Sequence, residues 1–96
     1  MKQWVVHAWD ATDEGALDRR MAIRENHLAG ARLLKSNGNF VLGGAMLDND
    51  GRMIGSTMIV QFETEEACQE WIKIEPYIQE GIWHRWDIYP FRVADV

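Results

Sequence analysis

Four short segments rich in β-branched and aromatic residues alternate with two helical ones in the order β-α-β-β-α-β, an order that admits few folds. "QWVVHAW" (Gln3 to Trp9) has no helical period and reads as a first strand, buried on both faces or nearly so. The polar "DATDEG" then leads into a long helix from about Ala16 to Ser36, closed by "NGN" with glycine near the left-handed capping position. "FVLGGAML" (Phe40 to Leu47) is the second strand, and "DNDG" (Asp48 to Gly51) is a turn signal that sends "RMIGSTMIVQFE" back antiparallel. Thr64, followed by acids, N-caps a second helix that Pro76 must end. A short turn of helix in "YIQEG" then precedes the last strand, "IWHRWDIYPFRV" (Ile82 to Val93), where Pro90 should weaken the pairing late.

This is an α+β chain of ferredoxin-like order: one four-stranded antiparallel sheet with both helices on one face, in a single domain over residues 1–96. The other sheet face then needs a cover. Trp4, Trp9, Trp83 and Trp86 lie on strands with aromatic residues for both faces, and a chain of 96 residues has no third layer. A homodimer formed through the open sheet face solves this with the least material. Fifteen acids against ten bases give a formal charge of −5, which argues against a nucleic-acid partner. No stretch approaches a membrane span, and "MKQWVVHAWD" turns charged too early for a signal peptide. One cysteine, Cys68, rules out an intrachain disulfide and suits a reducing cytoplasm.

Candidate chemistry sits in two places. On the long helix Leu17, Met21, Leu28 and Ala31 form an apolar stripe widened by Ile23 and Leu34, yet Arg20, Arg24 and His27 fall on it. Polar groups on a core face must be paired, because leaving one orphaned costs roughly 1–3 kcal/mol. Taken alone, the helix favours a structural account, with Arg24 reaching out to water and His27 hydrogen-bonded in the core. The second place is Glu75, which Pro76 pushes out of helical geometry at the mouth of a turn. His7 and His84 lack metal-ligand spacing, so no metal is expected. Gly43-Gly44 lacks a phosphate-binding pattern, and Ser56 lacks a nucleophile elbow.

Together these segments resemble the YciI-like proteins of the dimeric α+β-barrel group. The resemblance rests on "RxxHL" (Arg24, His27, Leu28), the Gly43-Gly44 strand, "GSTMIVQFET" (Gly55 to Thr64), "EPYIQEGIW" (Glu75 to Trp83) and a closing "YPF". No one motif is specific, but their joint spacing runs from about Trp4 to Phe91. The resemblance implies a histidine–acid pair as active site, which here falls on His27 and Glu75. Around such a pair, Arg24, one turn from His27 on the same helix face, is placed to hold an acidic group of the substrate, and Ser56 and Tyr77 are candidate hydrogen-bonding neighbours. In this chain Glu-Pro-Tyr replaces the family's usual Asp-Pro-Tyr, lengthening the acid by one methylene. One relative in the wider group removes chloride from a chlorinated hydroxyquinone without metal or organic cofactor. The implied function is cofactor-independent acid–base chemistry of lyase, isomerase or dehydrochlorinase type on a small acid, and a tryptophan-lined pocket would suit an aromatic or cyclic one. The alternative is a non-catalytic ligand-binding or accessory module.

Overall fold

The computed structural model describes all 96 residues. The elements are β1 (Lys2–Asp10), α1 (Ala16–Ser36), β2 (Phe40–Leu47), β3 (Met53–Phe62), α2 (Glu65–Ile74), α3 (Pro76–Gln79) and β4 (Trp83–Phe91). They build one antiparallel sheet in the order β2-β3-β1-β4, so β1 and β3 are central. Local chemistry explains the boundaries. At the end of α1 the Gly38 N–H donates to the Lys35 carbonyl and the Asn39 N–H to the Leu34 carbonyl, a left-handed cap that Gly38 supports with φ of 77°. The Ala67 N–H donates to Thr64 Oγ1 at 3.1 Å and starts α2. In the β2–β3 turn Asp48 Oδ1 accepts from the N–H groups of Asp50 and Arg52, and Gly51 takes φ of 82°.

The helices cover one face of the sheet. Trp4, Val6 and Ala8 from β1 and Met58, Val60 and Phe62 from β3 meet Cys68, Trp71 and Ile72 of α2 there. The first strand is therefore not buried on both sides. Trp4, Val6, Ala8 and Asp10 are buried while Gln3, Val5, His7 and Trp9 stay half-buried on the open face. Gly55 on β3 has no room for a side chain, because a Cβ would overlap the Ala8 carbonyl oxygen and the Met46 side chain. Pro90 does not end the pairing of β4, which continues to Phe91 opposite Gln3. An edge strand tolerates a missing N–H on its free side.

Two features of the framework set up the site. First, the apolar members Leu17, Leu28 and Ala31 of the stripe on α1 are half-buried and Met21 is 49% exposed, while its buried residues are Arg20, His27 and Leu34. Steps of seven residues keep those three positions within about 40° of one another on a helix. Second, the β1–β4 register shifts between Trp9 and Asp10, so that Asp10 lies opposite Trp83. Both side chains are buried where β1, α1 and α3 meet.

Candidate active site

Glu75 is the residue between α2 and α3, and its conformation follows from the proline after it. Pro76 excludes the helical region for Glu75, which adopts φ −63° and ψ 120° and breaks the helix into two pieces. The side chain folds back as a cap. Its Oε1 accepts the Tyr77 N–H at 3.2 Å and lies 2.5 Å from Nδ1 of His27. Glu75 is 2% exposed and His27 9% exposed, so this contact is shielded from water. A carboxylate can only accept, which makes Nδ1 the protonated nitrogen and leaves the lone pair on Nε2. Nε2 makes no hydrogen bond, yet it is not sealed off from solvent. The Tyr77 ring stacks on the imidazole at 4.1 Å between centroids, and Trp83 meets it edge-on at 6.1 Å.

A second buried pair sits two helical turns away. Arg20 Nη1 donates to both carboxylate oxygens of Asp10, at 2.9 and 3.0 Å, and Nη2 donates to Ser56 Oγ at 2.7 Å. Ser56 also accepts from Trp83 Nε1 at 3.3 Å. The Arg20 guanidinium carbon lies 4.7 Å from the centre of the Tyr77 ring, so Tyr77 touches both buried pairs. Burial raises the Tyr77 phenol above its ordinary pKa, while the charges of Arg20 and Arg24 pull the other way. The phenol is therefore neutral, and a donor, at physiological pH. Arg24 is half-buried on the same helix and has neither hydrogen bond nor ion pair.

The matches to known proteins give these groups a setting. Residues 4–92 fit the model of the YCII-related domain. The chain belongs to that family. It is 33% identical to the protein YciI of Escherichia coli O6:H1 over 95 residues, covering 93% of this chain and 95% of that protein. An uncharacterized protein of Haemophilus influenzae is 30% identical over the same proportions. Among solved structures, the fold matches 5-chloro-2-hydroxyhydroquinone dehydrochlorinase from Burkholderia phenoliruptrix AC1100, a complex with 2,5-dihydroxybenzoquinone. The TM-score is 0.80 at 21% identity, covering 96% of this chain and 95% of that one. A dimeric ferredoxin-like protein of unknown function from Jannaschia sp. CCS1 matches with a TM-score of 0.57 at 14% identity, covering 97% and 100% of the two chains. At these identities both structures speak for the fold alone.

The structure brings His27, Glu75 and Tyr77 into contact and leaves Arg24 on the same helix face. Ser56 is also close, but its oxygen already accepts from two buried donors, so it holds Arg20 and Trp83 in place. The pair does not sit at the floor of the large cleft. That cleft, about 1110 Å³, opens between the β1–α1 connection and the β2–β3 turn and reaches inward only to Asp10. The stacked Tyr77 ring covers one face of the imidazole. Asp10 and Arg20 were missed as partners. Arg20 was visible on the core face, but nothing local says that the end of β1 supplies its acid. No group of three His, Cys, Asp or Glu side chains is placed to hold a metal ion. Burial pushes the Cys68 thiol up to about 11, with the Glu65 charge adding to the effect, so it is not poised as a nucleophile.

Proposed function

We propose that this protein is a cofactor-independent acid–base enzyme of the lyase, isomerase or dehydrochlorinase type, acting on a small aromatic or cyclic acid. The observation that carries this reading is the buried 2.5 Å contact between His27 Nδ1 and Glu75 Oε1. It fixes the imidazole and directs the free Nε2 lone pair outward, as a general base requires. The added methylene of Glu75 does not keep the acid from its histidine, because the carboxylate doubles back as the cap of α3. Arg24 supplies an uncommitted positive charge for an acidic substrate, and Tyr77 lines the imidazole with an aromatic face. Ser56 acts on the ligand side by orienting Arg20. The quinone-type ligand of the Burkholderia dehydrochlorinase lends support to the choice of substrate class.

The working unit in this reading is a cytoplasmic homodimer paired across the open sheet face. Val5, His7, Trp9 and Ile59 lie half-buried there without a covering layer, and Leu42, Tyr89 and Phe91 are exposed. The surface of 6301 Å² exceeds the roughly 5,700 Å² expected for a compact monomer of 11.1 kDa. Light scattering at micromolar concentration should give about twice the chain mass, and a clean monomer would refute this arrangement. For the chemistry, purified protein should turn over halogenated hydroxyquinones or related cyclic acids after dialysis against chelator, and His27→Ala should abolish that turnover. Ligand binding with no turnover in the wild type would replace the enzyme reading with that of a binding or accessory module.

A further inference from the structure

Two donors near His27 have no partner although they are shut off from water: the Tyr77 hydroxyl and the Arg20 Nε–H. Native interiors rarely leave such groups orphaned, and an unsatisfied one calls for an explanation. Here two occur on side chains that touch each other, beside the imidazole. We propose that the Tyr77 hydroxyl and Arg20 Nε–H form an oxyanion subsite for the ionised phenolic or enolic oxygen of the ligand. The second half of the inference, that this oxygen belongs to a substrate worked on by His27, rests on the acid–base reading above; the binding half does not.

The geometry selects the ligand class. A carboxylate is best held by the two-pronged edge of a guanidinium. The outer nitrogens of Arg20 are already engaged, Nη1 by both oxygens of Asp10 and Nη2 by Ser56. One N–H remains, and with one O–H from Tyr77 it suits a single oxygen atom. The surroundings are aromatic, with Trp83 5.9 Å from the Tyr77 ring and the imidazole stacked on it. A flat ring bearing one ionised oxygen fits such walls. Asp10 neutralises Arg20, and Arg24 is the cation of this helix face that no side chain pairs. Both donor atoms are covered, so a side chain must move to admit the oxygen. Arg24, whose charge acts on the Tyr77 phenol, is held by no hydrogen bond.

Burying charge-assisted donors in advance is the arrangement that stabilises a developing oxyanion with little reorganisation. The donors stay donors, since the neutral phenol persists at physiological pH and arginine keeps its proton.

The probe is 4-nitrophenol, whose absorbance separates its ionised from its neutral form and which undergoes no reaction. Titrated into the wild-type protein, it should bind saturably as the anion and show a lowered apparent pKa. Tyr77→Phe keeps the ring against His27 and removes only the hydroxyl. It should weaken probe binding about tenfold or more, the worth of a hydrogen bond to a charged group. Because the deleted hydroxyl has no partner, the thermal midpoint should be unchanged or higher. Arg20→Lys, which keeps the charge and loses Nε, should weaken binding similarly; if it fails to fold, Tyr77→Phe decides alone. Equal probe affinity in Tyr77→Phe, a lowered midpoint in that variant, or no saturable binding by the wild type would overturn the subsite. His27→Gln separates the two proposals: probe binding should persist while turnover is lost. Turnover surviving in His27→Gln would remove the acid–base reading and leave the subsite standing.

Discussion

α1 carries two buried pairs on one face, seven residues apart, and they are built for different work. Arg20 and Asp10 form an ion pair, each side chain 3% exposed, and Arg20 is held at three points by Asp10 and Ser56. His27 and Glu75 share a single contact, and the imidazole keeps one nitrogen free. The first pair is tied up in contacts with itself and Ser56; the second leaves a ring nitrogen open for proton transfer. A buried ion pair gives little net stability over an apolar pair of the same shape, because desolvation offsets the attraction. What the Arg20–Asp10 pair does supply is position: it fixes the guanidinium against Tyr77, and Tyr77 against His27. A rigid charged frame beside a lightly held titratable group is how a fold keeps geometry without freezing chemistry.

The contrast is sharpest when each pair is broken. Asp10→Ala strands the Arg20 charge in the interior and should destabilise the protein by about 3–5 kcal/mol. Urea unfolding would measure this, and a loss below about 1 kcal/mol would mean that water reaches the pair freely. Glu75→Gln should cost less, about 1–3 kcal/mol, because the amide oxygen still caps the Tyr77 N–H and only the bond to His27 weakens. Its effect on turnover or ligand binding should far exceed its effect on folding. If both variants lose stability equally while ligand binding is untouched, the two pairs are alike and merely structural.

The smallest effect tests the residue between them. Of the two tyrosines, Tyr89 is 58% exposed and Tyr77 is buried. A spectroscopic alkaline titration should show the Tyr77 phenol ionising above the ordinary tyrosine range. Tyr77 has a folded pKa raised above 10.0, so its contribution to stability is complete below about pH 10 and is lost as pH rises through the folded value. A Tyr77 phenol ionising within the ordinary range would place it in water and undo its bridging role.

Much of this was legible from residue order. The alternation of strand and helix patterns, the Asp48–Gly51 turn, the Thr64 cap and the break before Pro76 are local signals. Each acts within a few residues, so each survives into the fold at nearly the expected position. The resemblance to the family pointed to His27 and Glu75, and their 48-residue separation closes to one hydrogen bond.

The rest belongs to tertiary structure. Apolar periodicity placed Met21 in the core, but the sheet and α3 lie against Arg20, His27 and Leu34 instead. Periodicity reports which way residues point relative to each other, not which direction holds a partner. Asp10 looked like the first residue of a loop until the register shift in β1–β4 turned it inward opposite Trp83. Sequence alone determined the elements, their order and the candidates for chemistry, because capping, turn and proline preferences are properties of short stretches. Only the folded chain decided that Arg20 is neutralised by Asp10, that Ser56 orients it, and that Tyr77 joins the two pairs. Those contacts depend on strand register and on the path of α3, which no single segment encodes.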